Sequence, residues 1–276
     1  MDLLNTGTIQ VIIHIGLHKT GTTFLQESVW PTISNATVIR GWDSHRTMID
    51  KADKDILLIS DESLCGNPWN GTYFSDFKAN MTRIKAIYNN PKIIFGVRKQ
   101  SDLLLSLYKQ YLAEKGIAPL HEFYKEDNSG IVKNQDLKLK ERIIILKSLF
   151  NNIFIYSQET LRDASPNFYS SLSAFMDTDV HVPKTDKKSN LGIRTVNHAN
   201  ILRRINRINA KTESLSKHLS LYNKLLRHAG LTPRHVTNRL IGKSKSSRLD
   251  LPKDLRTSVN QKFAADWEYC LSVLSY

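Results

Sequence analysis

The chain has 276 residues, of which 41% are hydrophobic and 24% charged. That balance supports one large globular domain with a full core and excludes a disordered or low-complexity chain. The formal net charge of +13 asks for anionic partners, while two distant cysteines, Cys65 and Cys270, exclude a disulfide framework and fit a reducing compartment.

No apolar run approaches the length of a membrane span. The segment Met1 to Thr8 has no basic stretch followed by an apolar one, so a cytoplasmic, bacterial protein is expected. In chain order, Val11, Ile12, Ile13 and Ile15 form a short apolar run of the kind a buried parallel strand shows. It ends at Gly16. Gly16 and Gly21 have the spacing of a phosphate-binding loop, and Thr23 fills its hydroxyl position. The lysine of such loops normally follows the second glycine, but here Thr22 stands in that place and the lysine is Lys19, inside the loop. A cation there leans toward a bridging oxygen beside a 5′-phosphate rather than toward a terminal phosphate. Phe24, Leu25 and Val29 then recur at helical spacing, so free N–H groups at Gly21, Thr22 and Thr23 would face an anion.

Asp55 to Ser60 reads as a second strand, and Asp61 and Glu62 follow it. A carboxylate at a strand end beside a cationic site is a candidate general base; Glu62 is the first choice and Asp61 the second. His14 and His18 also remain candidates. Lys92 to Val97 is another buried strand, with Arg98 at its C-terminal end, where open parallel sheets gather ligands. The apolar positions Leu103, Leu104, Leu107, Tyr108, Tyr111 and Leu112 define a helix capped by Ser101 or Asp102. Ser106 lies on it. An arginine fork suits a phosphate, and a serine hydroxyl adds a neutral hydrogen-bond donor.

Further along, a helix over Glu141 to Leu149 and a strand over Asn152 to Tyr156 lead to a helix holding Leu172 and Phe175. Residues 178–196 are turn-rich and basic, and bound a core of about residues 9–182. The remainder, about 190–276, reads as a helical extension. It includes a helix through Ile201, Ile205 and Ile208 and a final one carrying Val259, Phe263, Trp267 and Leu271. Basic residues concentrate there, but no nucleic-acid motif accompanies them, so no nucleic-acid partner is expected.

The run His18-Lys19-Thr20-Gly21-Thr22-Thr23 resembles the 5′-phosphosulfate loop of sulfotransferases that use 3′-phosphoadenosine 5′-phosphosulfate (PAPS). Arg98 and Ser106, eight residues apart, resemble the same family's 3′-phosphate pair. Ser60-Asp61-Glu62-Ser63 resembles the acidic segment of bacterial and Golgi members. The resemblance implies an α/β, P-loop-like three-layer sandwich with a mainly parallel central sheet and a helical C-terminal part, forming one domain over residues 1–276. It implies that Lys19, with His18, Thr20, Gly21, Thr22 and Thr23, cradles the 5′-phosphosulfate. It also implies a basic closing loop, to which Lys187 and Lys188 would contribute, and needs no metal ion.

The reaction so implied moves a sulfuryl group from PAPS to a hydroxyl of an acceptor, a carbohydrate or glycolipid, leaving adenosine 3′,5′-bisphosphate. An acidic glycan would suit the basic charge. Two other classes share the loop. One is a nucleoside-triphosphate-dependent kinase, with Asp61 as a magnesium ligand. The other is a nucleotide-binding module without catalysis.

Overall fold

A computed structural model describes residues 9–42, 54–163, 166–182, 193–213 and 247–276. Five strands, β1 (Gln10–Gly16), β2 (Ala36–Arg40), β3 (Ile56–Ser60), β4 (Lys92–Val97) and β5 (Ile153–Ser157), make one sheet in the order β2-β3-β1-β4-β5. Every pairing is parallel. The apolar runs of the sequence become β1, β3, β4 and β5, each shifted by no more than a residue or two. The edge strand β2 carries no comparable run: Ala36 and Ile39 are buried, but Thr37 and Val38 are only half-buried.

Side chains alternate across the sheet, as the two-residue period of a strand requires. Ile13, Ile15, Leu57, Ile59 and Phe95 enter the core on one face. Ile12, Leu58, Ile94 and Phe154 enter the core on the other. The first face is covered by α2 (Tyr73–Ile87), α3 (Gln100–Ala113) and α4 (Leu139–Leu149), through residues such as Phe77, Met81, Leu104 and Ile143. The second is covered by the segment after β1 and by α5 (Pro166–Met176), through Trp30, Phe168 and Leu172. The protein is therefore a three-layer α/β sandwich with a wholly parallel sheet.

The order of strands sets the place of the site. From β1 the chain moves to β3 and β2 on one side; β4 and β5 lie on the other. The connections diverge at the β1/β4 pair, and a crevice opens there beyond the carboxyl ends of the strands. Gly16 and Gly96 are register partners across that pair.

Several expectations are corrected. Helix α3 begins at Gln100 with Lys99 as its N-cap, two or three residues before the serine or aspartate expected in that role. Ser101 is buried instead, and Asp102 pairs with Arg256 at 2.8 Å. On α6 (Val196–Glu213) the buried positions are His198, Ala199, Leu202 and Asn206, whereas Ile201 and Ile208 face outward. The Asn206 amide satisfies the Leu112 and Gly116 carbonyls at 2.9 and 2.8 Å, so a polar residue occupies the packed face. The expected final helix is two, α7 (Lys253–Lys262) and α8 (Ala264–Ser272), because the backbone leaves helical geometry at Phe263. Leu271 is exposed, and Cys270 takes its place in the core. After α8 the chain meets the edge strand: Ser275 N–H donates to the Ile155 carbonyl at 3.0 Å, and its hydroxyl accepts from Ile155 N–H at 2.9 Å. That contact covers part of an exposed strand edge. Among the described residues, no helix is long and apolar enough to cross a membrane.

Candidate active site

The loop after β1 is shaped by its glycines. Gly21 has φ +94°, a left-handed conformation that caps α1 (Thr22–Phe24), and a Cβ there would meet Leu161 Cδ2 at 2.4 Å. A Cβ on Gly16 would lie 2.5 Å from the hydroxyls of both Thr20 and Thr22. A Cβ on Gly96 would lie 2.5 Å from the Tyr156 hydroxyl and 2.8 Å from that of Thr20. The loop thus folds down onto two bare strand ends.

Lys19 itself has φ +68°. A side chain beyond glycine in this region costs roughly 1–2 kcal/mol and is kept only where the surroundings enforce it. Part of that enforcement comes from Arg98, whose Nη1 donates to the Lys19 carbonyl at 3.1 Å. The same Nη1 donates to Ser106 Oγ at 2.7 Å. Arg98 therefore joins the strand-end arginine, the helix serine and the loop lysine in one unit. Burial pushes the guanidinium pKa down, and its Nε is buried with no hydrogen-bond partner among the described residues. Thr22 Oγ1 is also buried and unpartnered.

A chain of buried hydrogen bonds runs beneath the loop. Gln26 Nε2 donates to the Ser60 carbonyl at 2.9 Å and to Ser60 Oγ at 3.0 Å. Ser60 Oγ lies 2.8 Å from His14 Nδ1, and His14 Nε2 lies 3.0 Å from the Tyr156 hydroxyl. Tyr156 meets Thr20, whose hydroxyl donates to the Leu17 carbonyl at 2.7 Å. These directions close without an orphan only if His14 carries its proton on Nε2. Burial lowers the His14 pKa to about 3, so the ring is neutral and acts as a connector. His18 is neutral too: burial lowers its pKa to about 4, and its Nδ1 lies 3.3 Å from the Tyr73 hydroxyl.

The two carboxylates after β3 are separated by their surroundings. Asp61 caps the turn Glu62–Cys65; its Oδ1 accepts from Ser63 N–H at 2.7 Å and its Oδ2 from Trp42 N–H at 2.6 Å. Glu62 is half-buried, and among the described residues no hydrogen bond or ion pair engages its carboxylate. Burial raises its pKa, Lys19 opposes that rise, and Asp61 and Glu114 add to it. Glu62 therefore shares the electrostatic neighbourhood of Lys19.

The sequence reading did not include Lys109, one turn beyond Ser106 on α3. Burial lowers its pKa, and the nearby Arg248, Arg98 and Arg256 lower it further against the opposing Asp250. Cations crowded in this way are relieved by an anion. Only its place one turn after Ser106 hinted at Lys109, and Arg248 arrives from a distant segment. Lys187 and Lys188 lie outside the described residues.

No family model and no curated protein matches the chain. Among solved structures, a sulfotransferase from Alicyclobacillus acidocaldarius is similar at 13% identity and a TM-score of 0.48, over 65% of this chain and 85% of that one.

Proposed function

We propose that the chain, acting as a single domain, transfers a sulfuryl group from PAPS to the hydroxyl of an acceptor, a carbohydrate or glycolipid. The observation that carries this reading is the Arg98 guanidinium bonded at once to Ser106 Oγ and to the Lys19 carbonyl. It couples a loop suited to a 5′-phosphosulfate to a pair suited to a 3′-phosphate, so one nucleotide with both groups would engage both. The bare ends at Gly16 and Gly96 and the unpartnered Thr22 Oγ1 and Arg98 Nε fit such a ligand.

In this reading the N–H groups at residues 19–23, with the hydroxyls of Thr22 and Thr23, hold the 5′-phosphate. His18 lines the loop without contributing charge. Arg98 and Ser106 hold the 3′-phosphate, and Lys109 adds positive field. The acceptor oxygen attacks sulfur as the bond from sulfur to the bridging oxygen breaks. The acceptor's proton passes to Glu62, whose raised pKa makes it a stronger base than a solvated carboxylate. Lys19 stabilises the charge that grows on the bridging oxygen, and adenosine 3′,5′-bisphosphate leaves. Catalysis is positioning plus electrostatics. Asp61, with both oxygens taken by backbone N–H groups, serves as the cap that fixes the turn carrying Glu62.

The test is transfer of label from sulfur-labelled PAPS to a panel of hydroxyl acceptors. The wild type labels at least one of them. Lys19→Ala reduces the rate by about 10²–10³-fold, the usual loss when one charge-stabilising group is removed. Normal turnover in Lys19→Ala contradicts the assignment.

A further inference from the structure

Beside the loop lies a cavity of about 370 Å³, a size typical of small-ligand sites. One wall is made by His18 and Ser63, the chain neighbours of Lys19 and Glu62. The rest includes Trp69, Asp76, Asn80 and Glu114. Among the described residues, the side chains that line it include two carboxylates and no lysine or arginine. In a chain of net charge +13, the lining beside the reacting groups is acidic, while Lys19 and Arg142 act on its His18 wall against Glu114 and Asp61.

Its polar groups are mostly hydrogen-bond acceptors. Asn80 turns its amide nitrogen to the Leu64 carbonyl at 3.1 Å, which leaves the side-chain oxygen for a ligand. Asp76 accepts from Thr72 Oγ1 at 2.7 Å and from Asn67 N–H at 3.5 Å, both on Oδ2. Glu114 accepts from Trp69 Nε1 at 2.8 Å and from Gln110 Nε2 at 2.7 Å, which fixes the carboxylate while lone pairs remain. Those two bonds also fix Trp69, half-buried and packed edge-on to His18 with ring centroids 6.4 Å apart. An aromatic face beside rigid acceptor oxygens matches a molecule with apolar C–H faces and many O–H donors. A carboxylate or sulfate on that molecule would face Asp76 and Glu114 and be repelled.

We infer that this cavity is the acceptor subsite and that it selects an uncharged polyhydroxylated ring, a neutral sugar, over an anionic one. The inference rests on the sulfuryl-transfer reading, and it runs against the acidic glycan that net charge alone suggests. Among the described residues, four cations gather instead on the nucleotide side, at Arg98, Lys109, Arg248 and Arg256.

Calorimetric titration tests it, with adenosine 3′,5′-bisphosphate added first and then neutral cellotetraose or maltotetraose, or anionic tetragalacturonate. A neutral probe binds saturably, and tetragalacturonate binds about tenfold weaker or worse. In the double variant Asp76→Asn, Glu114→Gln the gap closes to about twofold, as expected if charge sets it. Equal or tighter binding of tetragalacturonate to the wild type overturns the inference. So does an unchanged gap in the double variant, or no binding by any of the three probes. If a neutral sugar binds and the bisphosphate does not, sulfuryl transfer falls while the charge selection of the cavity stands. If the bisphosphate binds and no sugar does, the cavity assignment falls alone.

Discussion

Asp61 and Glu62 are adjacent, both acidic and both near Lys19, yet the fold gives them different work. The Asp61 carboxylate is committed to two backbone N–H groups, at 2.7 and 2.6 Å. Glu62 is half-buried with its carboxylate unengaged among the described residues, and burial lifts its pKa. A general base must be ionised, so turnover falls as pH drops through that raised value, and the acidic limb of the rate profile lies above the ordinary 4.5. Glu62→Gln should lower kcat by about 10²–10⁴-fold and remove that limb, while affinity for the nucleotide stays within about twofold. Survival of both the rate and the limb would hand the role to another group. Such a division could not be read from the sequence, because a slip of one residue exchanges the two side chains. The cap that separates them exists only once β3 ends and Trp42 arrives from the neighbouring strand. Lys19, Gly21 and the paired threonines stood out for the opposite reason: a loop of the kind proposed to cradle phosphate would need those residue types at close, fixed spacing.

At the scale of elements, the loop depends on what lies below it. Gly16 was visible as part of a motif, but Gly96 was not, since nothing in one sequence says which strand will lie beside β1. The register places them as partners, and a methyl group on Gly96 would collide with Tyr156 and Thr20. Gly96→Ala should therefore cost about 1–3 kcal/mol of stability, the range for overpacking a filled core. It should also weaken nucleotide binding, because Thr20 must shift. Denaturant unfolding and titration of the same variant check both; wild-type stability with wild-type affinity would mean the strand end has room to spare. Helix α3 was legible from its apolar spacing. Its true start was not, because Lys99 is held by Glu159 across the fold, at 3.4 Å, rather than by a cap within the segment. The edge strand β2 was missed because a short, half-buried strand shows little periodicity. The inward face of α6 was misjudged because Asn206, not an isoleucine, meets the carbonyls at the end of α3.

Across the whole molecule, burial of histidine sets a pH dependence of stability. His14 and His18 are held at about 3 and about 4, against 6.5 for an exposed ring. Below 6.5 the unfolded chain takes up protons that the folded chain refuses, so their contribution is complete above that pH and is lost as pH falls toward 4. Each histidine can remove about 1.4 kcal/mol per pH unit in that window. Glu62, Asp136 and Asp266, whose pKa values are raised mainly by burial, act with the opposite sign as pH climbs through theirs. A His14→Gln variant retains all of these, so comparison isolates the ring. Between about pH 7 and pH 5 the wild type should lose about 2 kcal/mol more than the variant; parallel losses would show that His14 is not buried neutral. The layered α/β plan was legible from four apolar runs. The assembly of distant groups around the crevice was not, because Trp69, Asp76 and Glu114 carry no local pattern. The central claim is that Lys19 and Arg98 belong to one site for a nucleotide with both 5′- and 3′-phosphates. Calorimetric titration without divalent metal tests it most directly. The account predicts tight binding of adenosine 3′,5′-bisphosphate, at least tenfold weaker binding to Arg98→Ala, consistent with loss of a charge-assisted pair, and no preference for ATP with magnesium. Tighter binding of magnesium ATP, or an unchanged affinity in Arg98→Ala, would contradict it.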